Sequence, residues 1–185
     1  PAQLQQMLER ALAAIEQNRL DSRTPIEVIA EAMKNLDGRG DLGRSRELLE
    51  GLLRRNLTPQ ERHEALLSLG ITYRATQEFD RAKATLQQAI DLAGGTDTEA
   101  GGVVAFQMAW THETVGDAVA ARRLFESTAA SRGVFPTLRL EARWNALRLA
   151  AAAGEVVRVG LAALLADCGD NEQVKHIADD CRSRL

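Results

Sequence analysis

Apolar residues recur at helical spacing along this chain, in segments separated by short turns. The pattern is clearest in residues 63–96, where small and large apolar residues fall on one face before a break at Gln77-Glu78-Phe79 and on one face after it. Spacings of three and four residues place side chains on the same side of an α-helix. The segment is therefore predicted to be two amphipathic helices joined by a tight turn.

The same arrangement is repeated before and after this central segment. Turn signals occur at Gly40-Asp41, Gln77-Glu78, Gly116-Asp117 and Gly154-Glu155, about every 38 residues, a period typical of helical repeat proteins. We therefore expect four helix hairpins. Their predicted ranges are 24–57, 58–95, 96–134 and 135–169.

Two of the predicted hairpins begin with the same helix-start signal. Thr24-Pro25-Ile26-Glu27 and Thr58-Pro59-Gln60-Glu61 each combine a capping hydroxyl, a proline suited to the first helical turn and a glutamate that completes a capping box. Thr96-Asp97-Thr98-Glu99 is a third predicted start. These signals fix where the first helix of each of these hairpins should begin.

The chain ends carry further amphipathic segments, predicted as capping helices over residues 1–23 and 170–185, because the ends of a helical stack must cover their apolar faces. In the last hairpin, Val159, Ala163 and Ala166 are predicted to form the apolar face of the second helix. Hydrophobic residues make up 45% of the chain and aromatic residues only 4%, which favours close-packed helices over strands. We expect a single all-α domain.

The central segment resembles the tetratricopeptide repeat (TPR), through the order of residues in HEALLSLGITYRATQEFDRAKATLQQAIDLAGGT. The resemblance implies that Gly70 and Ala82 lie where helices cross closely, that Tyr73 and Leu86 fill the space beside them, and that Phe79 packs just past the turn. It implies a right-handed α-α superhelix, a TPR-like solenoid of about four helix hairpins with a helix at each end. The first helix of each hairpin would line a concave groove.

Residues 39–55 and 58–90 also resemble the repeats of the membrane-anchored LapB-type lipopolysaccharide assembly proteins. A similar arrangement, a cytoplasmic repeat domain behind an N-terminal membrane anchor, occurs in PelE-type exopolysaccharide secretion proteins. That resemblance implies a bacterial envelope or polysaccharide assembly or secretion complex. It also implies a cytoplasmic location, with a tether to the inner membrane that would precede Pro1. The rubredoxin-like cysteine pairs of the LapB family are missing from this sequence.

Charge and motif content exclude several classes of function. With 23 Lys and Arg against 26 Asp and Glu, the chain has no excess of positive charge for a nucleic-acid partner. Cys168 and Cys181 lack metal-site spacing, and the glycine pairs form no phosphate loop. The three histidines lie apart, His63 and His112 in different hairpins and His176 in the predicted terminal helix. We expect no catalytic site, metal or cofactor. The sequence contains no run of about 18 apolar residues, so we do not expect it to insert into a membrane.

The repeat register assigns ten residues to the concave groove, among them both tryptophans of the chain. Aromatic side chains and arginines are enriched in the energetic centres of protein interfaces. The chain is therefore predicted to be a non-catalytic scaffold that binds a helix or an extended segment of a partner protein. The groove residues are Lys34, Leu67, Ile71, Arg74, Phe106, Trp110, Glu113, Glu141, Trp144 and Arg148.

Several alternatives remain open at this point. Phe106, Trp110 and Trp144 could equally be core residues, or the groove could be filled by a terminal helix of the same chain. A second copy could fill it as well, which would make the protein a homodimer. An enzyme or regulatory subunit with a helical cofactor pocket is the alternative from another class.

Overall fold

A computed structural model describes residues 10, 12, 23–36 and 40–185, and every regular element within these ranges is helical. The predicted all-α class is therefore confirmed for the described residues. The helix expected over residues 1–23 lies outside them, apart from Arg10, Leu12 and Arg23. The α-helices are α1 (Pro25–Lys34), α2 (Leu42–Leu53), α3 (Pro59–Ala75), α4 (Phe79–Leu92), α5 (Glu99–Thr114), α6 (Ala118–Ala130), α7 (Pro136–Ala152), α8 (Arg158–Cys168) and α9 (Lys175–Arg184), with a 3₁₀ turn at Glu172–Val174.

The chain divides into two compact units, Pro1–Thr76 and Gln77–Leu185. In the first unit, α2 packs against both α1 and α3, and α1 also contacts α3. In the second unit, each helix from α4 to α8 packs against the next helix along the chain. Each unit is thus built from consecutive helices packed together, as expected of helix hairpins.

Side-chain caps set the first residues of α1 and α3. The backbone N–H of Thr24 donates to Glu27 Oε2 at 2.8 Å, while the backbone N–H of Glu27 donates to Thr24 Oγ1 at 3.4 Å. Thr58 and Glu61 form the same reciprocal pair at 2.8 and 3.3 Å. Both predicted capping boxes are confirmed. The hydrogen bonds from the threonine backbone, followed by those from the hydroxyls, lower the pKa of both glutamates.

Three of the four predicted turns share one backbone conformation. Gln77, Gly116 and Gly154 have φ values of 63°, 81° and 83°, in the left-handed region that ends many helices. Within the second unit, Gly116 and Gly154 therefore reverse the chain after α5 and after α7. Gln77 adopts this conformation although it carries a Cβ atom, which costs more there than in glycine.

The core of the second unit includes two clusters of buried side chains among the described residues. One is centred on Phe125, which is fully buried between α5 and α7. The other joins α8 and α9. Its fully or nearly fully buried members include Leu161, Leu164, Cys168, Ile177 and Cys181.

The predicted apolar face of α8 is wrong. Val159 is 83% exposed and Ala163 and Ala166 are also exposed, whereas Leu161 and Leu164 are buried. The helix is rotated so that Gly160 lies against Leu147, where a Cβ atom on the glycine would come within 2.6 Å of Leu147 Cδ2. This close approach of backbone to a neighbouring side chain turns Val159 outward.

Candidate protein-binding face

The ten predicted groove residues lie on four helices. Lys34 is on α1, and Leu67, Ile71 and Arg74 are on α3, all in the first unit. The other six are divided between α5 and α7 of the second unit.

In the first unit, Lys34 is exposed in the last turn of α1, while Leu67 and Ile71 are half-buried one turn apart on α3. Arg74 is also half-buried, one turn further along. Burial lowers the pKa of Arg74, although an arginine still carries its charge at neutral pH. The three α3 residues thus present an apolar strip that ends in a cation.

Phe106 belongs to the core rather than to an open groove. Only 7% of its surface is exposed, and its ring meets that of Phe125 edge to face, with centroids 5.3 Å apart. The hypothesis that Phe106 anchors a partner is therefore corrected. Its side chain points towards α6, where it supports the neighbouring indole of Trp110 at a centroid distance of 6.2 Å.

Trp110 is half-buried and is held on two sides. One side meets Phe106 and Phe125 edge to face, the latter at 5.6 Å. On the other side, the guanidinium carbon of Arg148 lies 5.7 Å from the centroid of the indole ring, within the range of a cation–π contact. The indole is therefore fixed by neighbours while part of its surface remains open to solvent.

Arg148 connects α7 to α5 through a carboxylate. Its Nη2 donates to both carboxylate oxygens of Glu113, at 2.8 and 2.7 Å. Its Nε and Nη2 also donate to Asn145 Oδ1, at 3.3 and 3.1 Å. Asn145, only 2% exposed, in turn donates to the backbone oxygen of Glu141. The arginine is therefore held in one orientation by partners on two helices.

Two polar groups on this surface are unused within the described part of the chain. Nη1 of Arg148 makes no hydrogen bond there, and the half-buried carboxylate of Glu141 has no hydrogen-bond or ion-pair partner. A partner chain could thus use one donor next to the indole of Trp110 and one acceptor about two turns away along α7. We call the surface formed by Trp110, Glu113, Glu141 and Arg148 the α5–α7 face.

Trp144 lies against the terminal helix instead. Its Nε1–H donates to Asp180 Oδ2 at 2.7 Å, and the ring of His176 meets the indole edge-on at 6.1 Å. Burial would raise the pKa of Asp180, but the hydrogen bonds from Trp144 and Arg184 outweigh that effect and lower it. Helix α9 therefore covers part of this indole.

Sequence reasoning missed two groups that position these side chains. Asn145 lies three residues before Arg148, a helical spacing that could have suggested their contact. No sequence signal links Asp180 to Trp144, because their contact depends on how α9 docks. Both residues belong to the network that orients the candidate face.

The described residues contain no group of three or more His, Cys, Asp or Glu side chains that could hold a metal ion. Cys168 and Cys181 are buried free thiols, and burial raises the pKa of both. Among the described helices, none is long and apolar enough to cross a membrane. No protein-family model matches this chain, and no curated protein matches it significantly.

Proposed function

We propose that this chain is a non-catalytic protein-interaction scaffold of the TPR type, and that it binds a segment of a partner protein on the α5–α7 face. The observation that carries the proposal is the arrangement around Arg148, whose guanidinium lies over Trp110 and is held by Glu113. An aromatic ring and an arginine that are already fixed lose little conformational entropy when a partner docks.

The open groups specify how such a segment would bind. Apolar side chains of the partner would cover the exposed part of Trp110, while a backbone carbonyl or carboxylate would accept from Arg148 Nη1. A backbone N–H or a basic side chain could donate to Glu141. Either a helix or an extended segment can supply these groups.

The cellular setting of this scaffold is a further part of the proposal. The resemblance of residues 39–90 to repeats of envelope assembly proteins supports a cytoplasmic role in a bacterial lipopolysaccharide or exopolysaccharide assembly complex. This part rests on the sequence resemblance alone. If the partner belonged to another pathway, the proposed binding face would stay the same and only the cellular setting would differ.

A charge-neutral double variant tests the binding face. Arg148→Gln with Glu113→Gln removes the ion pair without leaving one charge unpaired, and Arg132→Gln with Glu99→Gln is the matched control at exposed positions. We expect affinity purification with mass spectrometry to recover the same specific partner with the wild type and the control, and to lose it with the double variant. Circular dichroism should show unchanged helicity in all three proteins.

The proposal fails if the double variant retains the captured partner at wild-type yield. It also fails if the purified wild type contains a bound chromophore or metal ion that is lost with the same substitutions. A mass in light scattering that rises with concentration, and that the double variant abolishes, would replace the partner protein with a second copy of the chain.

A further inference from the structure

A second surface of α7 carries a feature that the α5–α7 face does not explain. Side chains of α6 and α7 line two adjoining hollows of about 280 and 380 Å³, which share Arg122 and Glu126. We call them together the α6/α7 cleft. Its apolar lining includes Val119, Ala129 and Ala130 of α6 and Leu147 and Ala150 of α7.

The cleft follows the whole length of α6. Ala118 and Ala130, the first and last residues of that helix, line its opposite ends. Twelve helical steps correspond to roughly 18 Å, which is the length of a helix of about three turns. The small side chains on its floor leave room for larger residues of an incoming helix, as in ridge-into-groove packing.

Apolar residues at this cleft remain open to solvent. Val119 is 65% exposed, and Ala130 and Ala153, which also line the cleft, are exposed. Helix α8 meets the cleft at Leu147, where Gly160 lies against that side chain. An exposed apolar cleft next to a packed helix is a common form of binding site for another helix.

The charges at the cleft indicate the chemistry of its occupant. Arg122 donates to both Glu126 and Glu155, and Arg143 pairs with Asp167 of α8. These carboxylates are therefore already bonded to arginines.

Arg123 in the cleft and Arg139 beside it have no carboxylate partner among the described residues. Arg123 lines one hollow, and Arg139 donates only to the backbone oxygen of Ala129 in the other, at 3.3 Å. Arg123 and Ala129 are six residues apart on α6, roughly 9 Å. Arg122, Arg123, Arg139 and Arg143 stand against Glu126, Glu155 and Asp167. Four positive and three negative charges leave one net positive charge here, although the chain as a whole has a net charge of -3.

We infer that the α6/α7 cleft binds an acidic amphipathic helix of a partner protein. Apolar residues at helical spacing would enter the cleft between α6 and α7, and glutamates or aspartates on the flanks of that helix would meet Arg123 and Arg139. This surface lies on the opposite edge of α7 from Arg148. The inference does not depend on the function proposed for the α5–α7 face.

A displayed peptide library tests this inference. The probe is a library of 14-residue peptides with Leu, Ile or Met at positions one, four, five, eight and eleven, and equal amounts of Glu and Lys at the other positions. It is selected on the full chain and counter-selected on Val119→Asp. We expect the enriched sequences to contain several times more Glu than Lys.

Matched variants then measure the contribution of each feature. Val159→Asp is the control for Val119→Asp, because both valines are exposed second residues of a helix and Val159 does not line the cleft. Arg132→Glu is the control for Arg123→Glu. In fluorescence anisotropy with a selected peptide, Arg123→Glu should weaken binding by about fivefold or more, while both controls should bind like the wild type.

Three results would overturn the inference. The first is a selection that enriches Glu and Lys equally, or Lys over Glu. The second is a selection that enriches no peptide over the counter-selected protein. The third is concentration-dependent dimerisation in light scattering that Val119→Asp abolishes, which would make a second copy of the chain the occupant.

Discussion

Two helical glycines differ in the space that an added side chain would find around them. Gly102, in the first turn of α5, is buried, and an added Cβ atom would come within 2.1 Å of Val134 Cγ2. Gly51, near the end of α2, has no atom nearer than Arg54 Nη2 at 3.6 Å from an added Cβ atom. The same substitution should therefore have opposite effects at these positions.

We predict that Gly102→Ala lowers the free energy of unfolding by about 1–3 kcal/mol, because the added methyl group overpacks a closed contact. Gly51→Ala should raise it by roughly 0.5–1 kcal/mol, because alanine favours the helix and meets open space. Urea denaturation followed by circular dichroism measures both. Equal effects of the same sign would contradict the helix packing described for α5.

The contacts of individual residues show which parts of the candidate site could be predicted from the sequence. The repeat register taken from the TPR resemblance predicts that Trp110, Glu113 and Arg148 share one face, and the structure brings these three side chains into contact. Register could not determine that Phe106 turns into the core, because a rotation of a few tens of degrees separates the two environments. Nor could it reveal the contact of Asp180 with Trp144, which depends on tertiary docking.

At the scale of secondary structure, the capping boxes of α1 and α3 make the stability depend on pH. The folded-state pKa values of Glu27 and Glu61 are lowered, below the value of about 4.3 expected in an unfolded chain. The caps therefore contribute their full stability above that unfolded value, and lose it as the pH falls through the lowered folded pKa.

We predict that Glu27→Gln with Glu61→Gln flattens the fall in melting temperature between about pH 5 and pH 3. The control is Glu99→Gln, since Glu99 lies in the first turn of α5 but makes no side-chain cap contact among the described residues. Thermal melts by circular dichroism at several pH values provide the measurement. A double variant with the wild-type slope would show that the capping boxes do not act as described.

Local chemistry made the starts of α1 and α3 predictable, because a capping box involves residues only three positions apart. The orientation of α8 was not predictable in this way. Its sequence, RVGLAALLADC, has apolar residues on most sides, so periodicity allows more than one buried face. The contact between Gly160 and Leu147 selects one of them, and that contact is a property of the packed hairpin.

At the scale of the whole molecule, the second unit offers two different surfaces on opposite edges of α7. The α5–α7 face combines an indole with a fixed arginine and carboxylate. The α6/α7 cleft combines small apolar residues with arginines, of which Arg123 has no carboxylate partner among the described residues. Together the two proposals place one partner segment on each edge of α7. Loss of binding at one surface should leave binding at the other unchanged, which the two sets of variants can distinguish.

We propose that Trp110 is fixed on the surface and is covered when the partner binds. Acrylamide quenching of a Trp144→Phe variant, in which Trp110 is the remaining tryptophan, measures this directly, with and without the protein captured by affinity purification. We predict measurable quenching of the free protein and clear protection in the complex. An indole that is inaccessible in the free protein, or equally quenched in the complex, would contradict the account.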